Sequence, residues 1–239
     1  MTKMLKQWIA EQKNKKRYAR GLELMHNGRQ KQAIMEFTEI IEENNKFFDA
    51  YLGRAIVYMG MERWDDGIND LTYLIDNLPE MAAAYHYRCV GYMGLRQMDI
   101  ALSDINKAID LDSNEPANYM RRGAIYFWMK KYVLSIEDTT KSINLGFIED
   151  GYNNRAIYFE GMGDFVSAIA DWSALIDIFP ENAIAYCRRG LLREKIGDLP
   201  NAILDIKKGL AIGNNLEPDF QSMCKKFLDK YENAIRAGK

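Results

Sequence analysis

Residues 51–58 read YLGRAIVY, residues 85–92 read YHYRCVGY and residues 119–126 read YMRRGAIY. Each segment begins and ends with tyrosine and carries arginine at its fourth position, and the starts lie 34 residues apart. Tyr152 and Tyr186 continue the series with separations of 33 and 34 residues. Self-similarity at a fixed period of this length is the signature of a repeat architecture.

The period extends one unit backward from Tyr51 and divides most of the chain into six repeats. One residue is deleted at the end of the fourth repeat, near Gly146. We predict a helical lead-in over 1–13, six repeats over 14–216, and a final helix over 217–239. The predicted repeats are 14–47, 48–81, 82–115, 116–148, 149–182 and 183–216.

Within each repeat, apolar and small residues recur at the spacing of two helices, here called helix A and helix B. Positions 4, 8 and 11 share one helical face, as do positions 17, 21, 24 and 28. Turn formers such as Asn27-Gly28 and Gly163-Asp164 separate the two helices near position 15. Small residues at positions 8 and 20 allow the two backbones to approach closely. Since one hairpin cannot bury its apolar face alone, neighbouring hairpins must stack.

The pattern Tyr-x2-Arg-small-x2-Tyr, followed by Ala-x3-hydrophobe and Pro, resembles the tetratricopeptide repeat family. The resemblance covers residues 14–216, which are 203 of the 239 residues. It implies an all-α fold, a superhelix of stacked helix hairpins. The amphipathic segment from Phe220 to Ile235 is predicted to cap the last hairpin. The resemblance also implies a scaffold for protein–protein interaction, in which one face of each helix A lines a concave groove.

Two further columns are charged in every repeat, with arginine at position 7 and an acid at position 23. The two positions lie eight residues on either side of the turn at position 15, so they fall at the same height in an antiparallel hairpin. An anion-binding track of arginines is the alternative, which the matching acids disfavour. We predict a structural ladder, paired within or between repeats, of Arg20, Glu36, Arg54, Asp70, Arg88, Asp104, Arg122, Asp138, Arg155, Asp171, Arg189 and Asp205.

Helix A carries a second apolar face that a hairpin alone does not need. Exposed apolar area of this extent marks binding sites, and methionine suits adaptable peptide surfaces. The predicted wall is apolar in repeats 1–4 and more polar from Arg121 to Arg188. We therefore expect one end of the ligand to be hydrophobic and the other polar or acidic. The predicted partner-binding groove comprises Tyr18, Leu22, Met25, Leu52, Ile56, Met59, His86, Tyr87, Val90, Met93, Met120, Arg121, Phe127, Trp128, Asn153, Asn154, Ile157, Arg188 and Leu191.

Two alternatives for this face stay open. Neighbouring A helices could bury most of it by packing on one another. The amino-terminal segment, with Met4, Leu5, Trp8 and Ile9, could fold into its own groove or into that of a second copy, although a simple helix extension is the commoner use of such a segment.

The chaperone-tail carboxylate clamp of the resembled family is missing. That clamp needs Lys and Asn at positions 5 and 9 of one repeat, Asn at position 6 of the next, and Lys and Arg at positions 2 and 6 of the third. Starting at repeat 1, these positions hold Tyr18, Leu22, Gly53, Ala83 and Tyr87, and the other registers also fail. We therefore expect a protein or peptide partner other than a chaperone tail.

Composition and motifs exclude other functions. With 32 basic and 34 acidic residues the net charge is −2, which gives no basic excess for nucleic acid. Three cysteines form no disulfide framework, and no stretch approaches the ~18 apolar residues of a membrane span. The amino terminus lacks a secretory signal pattern, so we expect a cytoplasmic protein. Phosphate loops, dinucleotide fingerprints and zinc spacings are missing, so we expect no enzyme, no cofactor and no metal. Self-assembly through the terminal helices is the alternative function.

Overall fold

The computed structural model describes residues 3–213 and 216–236, which form thirteen α-helices and no strand. The all-α prediction is confirmed. Odd-numbered helices up to α11 are the A helices, and even-numbered ones are the B helices. The helices are α1 (Lys3–His26), α2 (Gln30–Glu43), α3 (Phe48–Gly60), α4 (Trp64–Asn77), α5 (Ala82–Gly94), α6 (Met98–Leu111), α7 (Pro116–Trp128), α8 (Tyr132–Asn144), α9 (Ile148–Met162), α10 (Phe165–Ile178), α11 (Ala183–Lys195), α12 (Leu199–Ile212) and α13 (Pro218–Arg236).

The chain divides into two compact units, residues 1–118 and residues 119–239, with the division inside α7. In unit 1, α1 packs on α2, α3 on α4 and α5 on α6, and the contacts of α2 with α3 and of α4 with α5 join these hairpins. In unit 2 each helix from α8 to α13 packs on the next. The regular repeat period did not predict this division.

The six turns between helices A and B share one backbone conformation. At position 15 the φ angle is positive in every repeat, between 58° and 88°. Glycine adopts this conformation without steric cost, whereas the longer side chains there accept some strain. The next residue then closes helix A by a backbone hydrogen bond, as from Arg29 to Leu24 (2.8 Å). The residues at position 15 are Gly28, Glu62, Arg96, Lys130, Gly163 and Gly197.

Close packing of a ring against the backbone explains why glycine stands at residues 21 and 53. Phe37 of α2 is fully buried between Gly21 of α1 and Gly53 of α3. A Cβ atom at Gly21 would lie 2.6 Å from the Phe37 ring, and one at Gly53 would lie 2.8 Å from it. Any larger side chain at either position would therefore push the three helices apart.

The first helix is longer than its partner. Helix α1 runs without a break through the predicted boundary between residues 13 and 14, so the lead-in extends helix A of the first repeat. Lys13 and Arg17 both donate to Glu43, the last residue of α2, at 2.6 Å. The part of α1 before Lys13 therefore extends beyond α2, by about 15 Å for ten residues at 1.5 Å each. The side chain of Leu5 lies outside the described residues.

Candidate functional site

The arginines at position 7 form paired hydrogen bonds with the acids at position 23 of the same hairpin. In the second repeat, Nε and Nη2 of Arg54 donate to the two carboxylate oxygens of Asp70 at 2.8 and 2.7 Å. The same bidentate geometry, with distances of 2.7 to 2.8 Å, recurs in the pairs Arg88–Asp104, Arg122–Asp138, Arg155–Asp171 and Arg189–Asp205. Bidentate, charge-assisted bonds fix orientation as well as adding energy.

The third nitrogen of these arginines reaches the preceding hairpin. Nη1 of Arg54 donates to the Thr38 hydroxyl of α2 at 2.9 Å, and Nη1 of Arg88 donates to the Thr72 hydroxyl of α4 at 3.2 Å. In unit 2, Arg155 and Arg189 make the equivalent bonds to Thr140 and Ser173. The sequence prediction did not include these hydroxyl residues, although Thr or Ser at position 25 in four repeats was a usable signal.

The first repeat departs from this geometry. Arg20 contacts Glu36 through one nitrogen at 3.2 Å, and the Arg20 side chain is 68% exposed. Water competes for this pair far more than for the internal ones. The ladder pairs are therefore bidentate and largely buried from the second repeat onward, whereas the pair of the first hairpin is a single, exposed contact.

In unit 1, most predicted groove residues lie on one face of α1, α3 and α5, and we call this the helix-A face. It is defined by the half-buried residues Tyr18, Leu22, Met25, Leu52, Ile56, His86, Tyr87, Val90 and Met93. The A helices also pack on each other, α1 on α3 and α3 on α5, which accounts for part of the burial. Tyr18 packs against the rings of Phe37 and Phe47 with centroid distances of 5.7 and 5.6 Å.

Met59 is a correction to the predicted groove. Its side chain is only 7% exposed and belongs to a core cluster with Leu71 and Ala84. The physical reason is the space left by two glycines, because its Cε atom lies 2.7 Å from where a Cβ would stand at Gly67 and 2.8 Å from one at Gly91. The flexible thioether fills this gap, so Met59 stabilises the hairpin stack and offers no surface to a ligand.

A cavity of about 300 Å³ opens at one end of the helix-A face. His86 Nδ1 lies 2.7 Å from Oδ1 of the buried Asn118, which fixes the ring at the wall of this cavity. Asp112 and Glu115 also line it, but each accepts a bond from a nearby backbone N–H, Asn114 and Ala117 respectively. Sequence reasoning found His86 and missed Asn118, which no column of the repeat singles out.

In unit 2, the predicted groove residues differ in how far they are buried. Met120 is buried, so it adds no surface for a ligand, which corrects its assignment to the groove. Phe127 stacks on Tyr158 with a centroid distance of 4.7 Å, and Trp128 at the end of the same helix is 58% exposed. Asn153, Asn154, Ile157 and Leu191 are half-buried on the A helices α9 and α11.

The two predicted groove arginines of unit 2 have different environments. Nε of Arg121 is buried and has no hydrogen-bond acceptor among the described residues. Its charge acts on Tyr158, whose pKa burial raises to about 12 while Arg121 opposes the rise. Arg188 places its guanidinium 5.2 Å from the centroid of the Phe220 ring in α13, so it contacts the capping helix. A role for Arg188 in ligand binding stays a prediction.

A set of exposed apolar residues near the hairpin turns of unit 2 was not predicted. It comprises Val133, Leu134, Met162, Val166 and Ile196, all more than 40% exposed.

Among the described residues, no group of His, Cys, Asp and Glu could hold a metal ion, and no helix is long and apolar enough to cross a membrane.

Comparison with known proteins supports the repeat interpretation. Residues 153–215 match the family model described as tetratricopeptide repeat. No curated protein sequence matches. The match agrees with the resemblance to the tetratricopeptide repeat family seen in the sequence, and that resemblance is confirmed.

Solved structures with this fold cover most of the chain. The carboxyl-terminal part of a TPR repeat-containing protein from Cytophaga hutchinsonii is similar, with a TM-score of 0.73 and 16% identity, over 92% of this chain and 89% of that one. A thermophilic TPR protein from Thermus thermophilus gives a TM-score of 0.64 and 17% identity, over 75% and 98%. YrrB, described as a TPR protein with an unusual peptide-binding site, gives 0.61 and 16%, over 80% and 97%. These proteins share with this chain the fold of stacked helix hairpins.

Proposed function

We propose that the protein is a non-enzymatic scaffold that binds a peptide or helix of a partner protein on its helix-A face. The observation that carries the proposal is the row formed by Leu22, Ile56 and Val90, which occupy the same repeat position on α1, α3 and α5 and are each partly exposed. A ligand lying across these helices would bury the remaining apolar surface, and each added buried CH₂ contributes about 0.8 kcal/mol.

Taken by itself, unit 2 carries polar side chains that suit a partner with acidic groups. Arg121 on α7 is half-buried, and the exposed part of its guanidinium offers positive charge to a carboxylate on the ligand. Asn153 and Asn154 lie on α9, the next A helix, and offer amide donors. YrrB, a structural neighbour, is itself described as having a peptide-binding site, which supports peptide binding for this fold. The cytoplasmic location stays a prediction.

The test uses a peptide library displayed on phage and selected on the wild-type protein. Ile56→Glu combined with Val90→Glu is expected to weaken the selected peptides by about tenfold or more, because a charge in an apolar contact costs at least about 1.4 kcal/mol. The matched control is Met35→Glu with Ile100→Glu, since both residues are exposed apolar side chains on B helices. Circular dichroism checks that both variants stay folded. Equal binding by the two double variants would contradict the proposal.

A second candidate function is self-assembly through the projecting end of α1. Met4, Trp8 and Ile9 are 81%, 58% and 44% exposed there, beyond the reach of α2. Exposed apolar groups on a helix without a neighbour suit pairing with a second copy. Light scattering would give a dimer mass for the wild type and a monomer mass for Trp8→Glu. A monomer mass for both at high concentration would exclude this candidate.

A further inference from the structure

In the third repeat, a cavity takes the place of an apolar side chain. Phe47, the last residue of the first repeat, precedes α3 and packs on Tyr18 with a ring centroid distance of 5.6 Å. Met81, the last residue of the second repeat, precedes α5 and packs on the core cluster of its hairpin. Glu115 holds the same position before α7, and it lines the cavity of about 300 Å³. Since an apolar residue there would bury more surface, the stability of the fold does not explain the glutamate.

The walls of this cavity combine apolar surface with negative charge. The methyl groups of Ala82, Ala83 and Ala117 line it. Asp112 and Glu115 line it as well and are exposed to solvent, whereas no lysine or arginine in the described part of the chain does so. An arginine side chain matches this arrangement, because its stem packs on apolar surface while its guanidinium bonds to carboxylates.

We propose that the cavity binds an arginine side chain of the partner protein and that Asp112 and Glu115 recognise its guanidinium. The inference rests on the proposed function, because it assigns one residue of the peptide that binds the helix-A face. His86 and Tyr87 belong both to that face and to the cavity. His86 and Val90 are four residues apart on α5, so about 6 Å of helix separates them, which two residues of an extended peptide span. One short peptide can therefore place an apolar residue near Val90 and an arginine in the cavity.

Contacts within unit 1 hold the walls of the cavity in place. Nδ1 of His86 lies 2.7 Å from Oδ1 of Asn118, a side chain that is only 2% exposed. The His86 ring also meets the Tyr87 ring edge to face, with a centroid distance of 5.2 Å. The two carboxylates each accept one backbone N–H bond, at 3.0 and 3.1 Å, and a carboxylate has further lone pairs for a ligand. Because these groups are already ordered, binding costs little additional conformational entropy.

The arginine side chain alone is tested with N-acetyl-arginine amide, added at millimolar concentration to the ¹⁵N-labelled full chain. Amide signals of residues 82–87 and 112–118 are expected to shift. N-acetyl-citrulline amide has the same shape without the charge, so it should bind about fivefold more weakly or less. The double variant Asp112→Asn with Glu115→Gln should lose the response, because its amides keep an acceptor for the backbone bonds but carry no charge. Glu42→Gln removes an exposed charge at the end of α2 and is the matched control, which should respond like the wild type.

A second variant, Glu115→Met, gives the third repeat the residue that the second repeat has at this position. It is expected to abolish the response to the arginine amide without lowering the midpoint of urea denaturation, because the thioether fills the cavity. The inference is overturned if the arginine amide shifts no signal of these residues, if the citrulline amide binds equally well, or if the Asp112→Asn, Glu115→Gln variant responds like the wild type.

The peptides selected by phage display separate this inference from the proposed function. If the selected peptides depend on Ile56 and Val90 but the arginine amide shifts nothing at the cavity, only the inference fails. If no peptide is selected but the arginine amide shifts the signals of the cavity, only the proposed function fails. Support for both requires selected peptides that lose about fivefold or more in affinity when their arginine is replaced by citrulline.

Discussion

Replacing Arg54 by methionine would leave a carboxylate in unit 1 without its counter-charge. The Asp70 side chain is 10% exposed and accepts both of its arginine bonds from Arg54. Arg54 also donates to Thr38 of α2, so the variant loses three hydrogen bonds, two within its own hairpin and one to the preceding hairpin. Removing one partner of a buried pair costs about 3–5 kcal/mol, and we expect about 3 kcal/mol because Arg54 keeps some contact with water.

Urea denaturation followed by far-ultraviolet circular dichroism measures this loss. The double variant Arg54→Met with Asp70→Leu is expected to recover most of the stability, because two apolar side chains replace the pair without leaving a charge behind. Arg20→Met is the matched control, since its exposed contact with Glu36 is worth about 0–1 kcal/mol. The reasoning fails if Arg54→Met stays within about 0.5 kcal/mol of wild type, or if the double variant is as unstable as the single one.

The same variant should respond to pH in a defined direction. Burial raises the pKa of Asp70, while its bonds with Arg54 oppose that rise. In Arg54→Met the opposition is removed, so the folded-state pKa lies further above the unfolded value. The neutral carboxyl is then favoured in the folded state, and stability is retained below the unfolded pKa and lost as pH rises through the folded pKa. The destabilisation of the variant should therefore be smaller at acidic pH than at neutral pH.

Three further perturbations separate other features of the fold. Gly91→Ala should lower the free energy of unfolding, measured by urea denaturation, by about 1–3 kcal/mol, because the added Cβ would lie 2.7 and 2.8 Å from core side-chain atoms. Gly60→Ala is the control and should be neutral or slightly stabilising, because its added Cβ would have its nearest neighbour at 3.7 Å. Asp164→Ala should lower the free energy of unfolding, measured by thermal denaturation, by about 1 kcal/mol, since this side chain caps α10. Asp198→Ala should lower it less, because the Asp198 side chain makes no capping hydrogen bond to α12. Hydrogen bonds from Lys13 and Arg17 of α1 lower the pKa of Glu43 from its ordinary value. Its stabilising effect is therefore present above the unfolded pKa, should fade as pH falls through the lowered folded-state pKa, and should be missing in Glu43→Gln when stability is measured against pH.

Periodicity alone was enough to predict the hairpins and to place the charges of the ladder opposite each other. Position 7 and position 23 flank the turn symmetrically, so equal rise along two helices brings Arg54 and Asp70 to one height. The bonds to Thr38 and Thr72 were not predicted, because they depend on how far one hairpin is rotated against the next. That rotation follows from side-chain packing between hairpins, which the period of the pattern does not contain.

The candidate site was less predictable than the fold. Met59 and Met93 occupy the same column, yet Met59 is buried because Gly67 and Gly91 happen to leave a gap beside it. A helical wheel gives the direction of a Cα–Cβ bond, but a long thioether bends toward whichever space is open. Arg188 poses the same difficulty, since its contact with Phe220 depends on where the capping helix lies.

The ladder and the helix-A face use opposite sides of the same helices. Positions 7 and 9 are two residues apart, so at about 100° per residue they point roughly 200° away from each other. Arg54 therefore satisfies its bonds toward α4 and α2 while Ile56 keeps part of its surface exposed on the far side. The Arg–Asp pairs form on the opposite side of the helices. Residues of the helix-A face can therefore be changed without leaving a buried charge unpaired. A loss of peptide binding in Ile56→Glu with Val90→Glu, at unchanged helicity, would consequently report on the binding surface rather than on the fold.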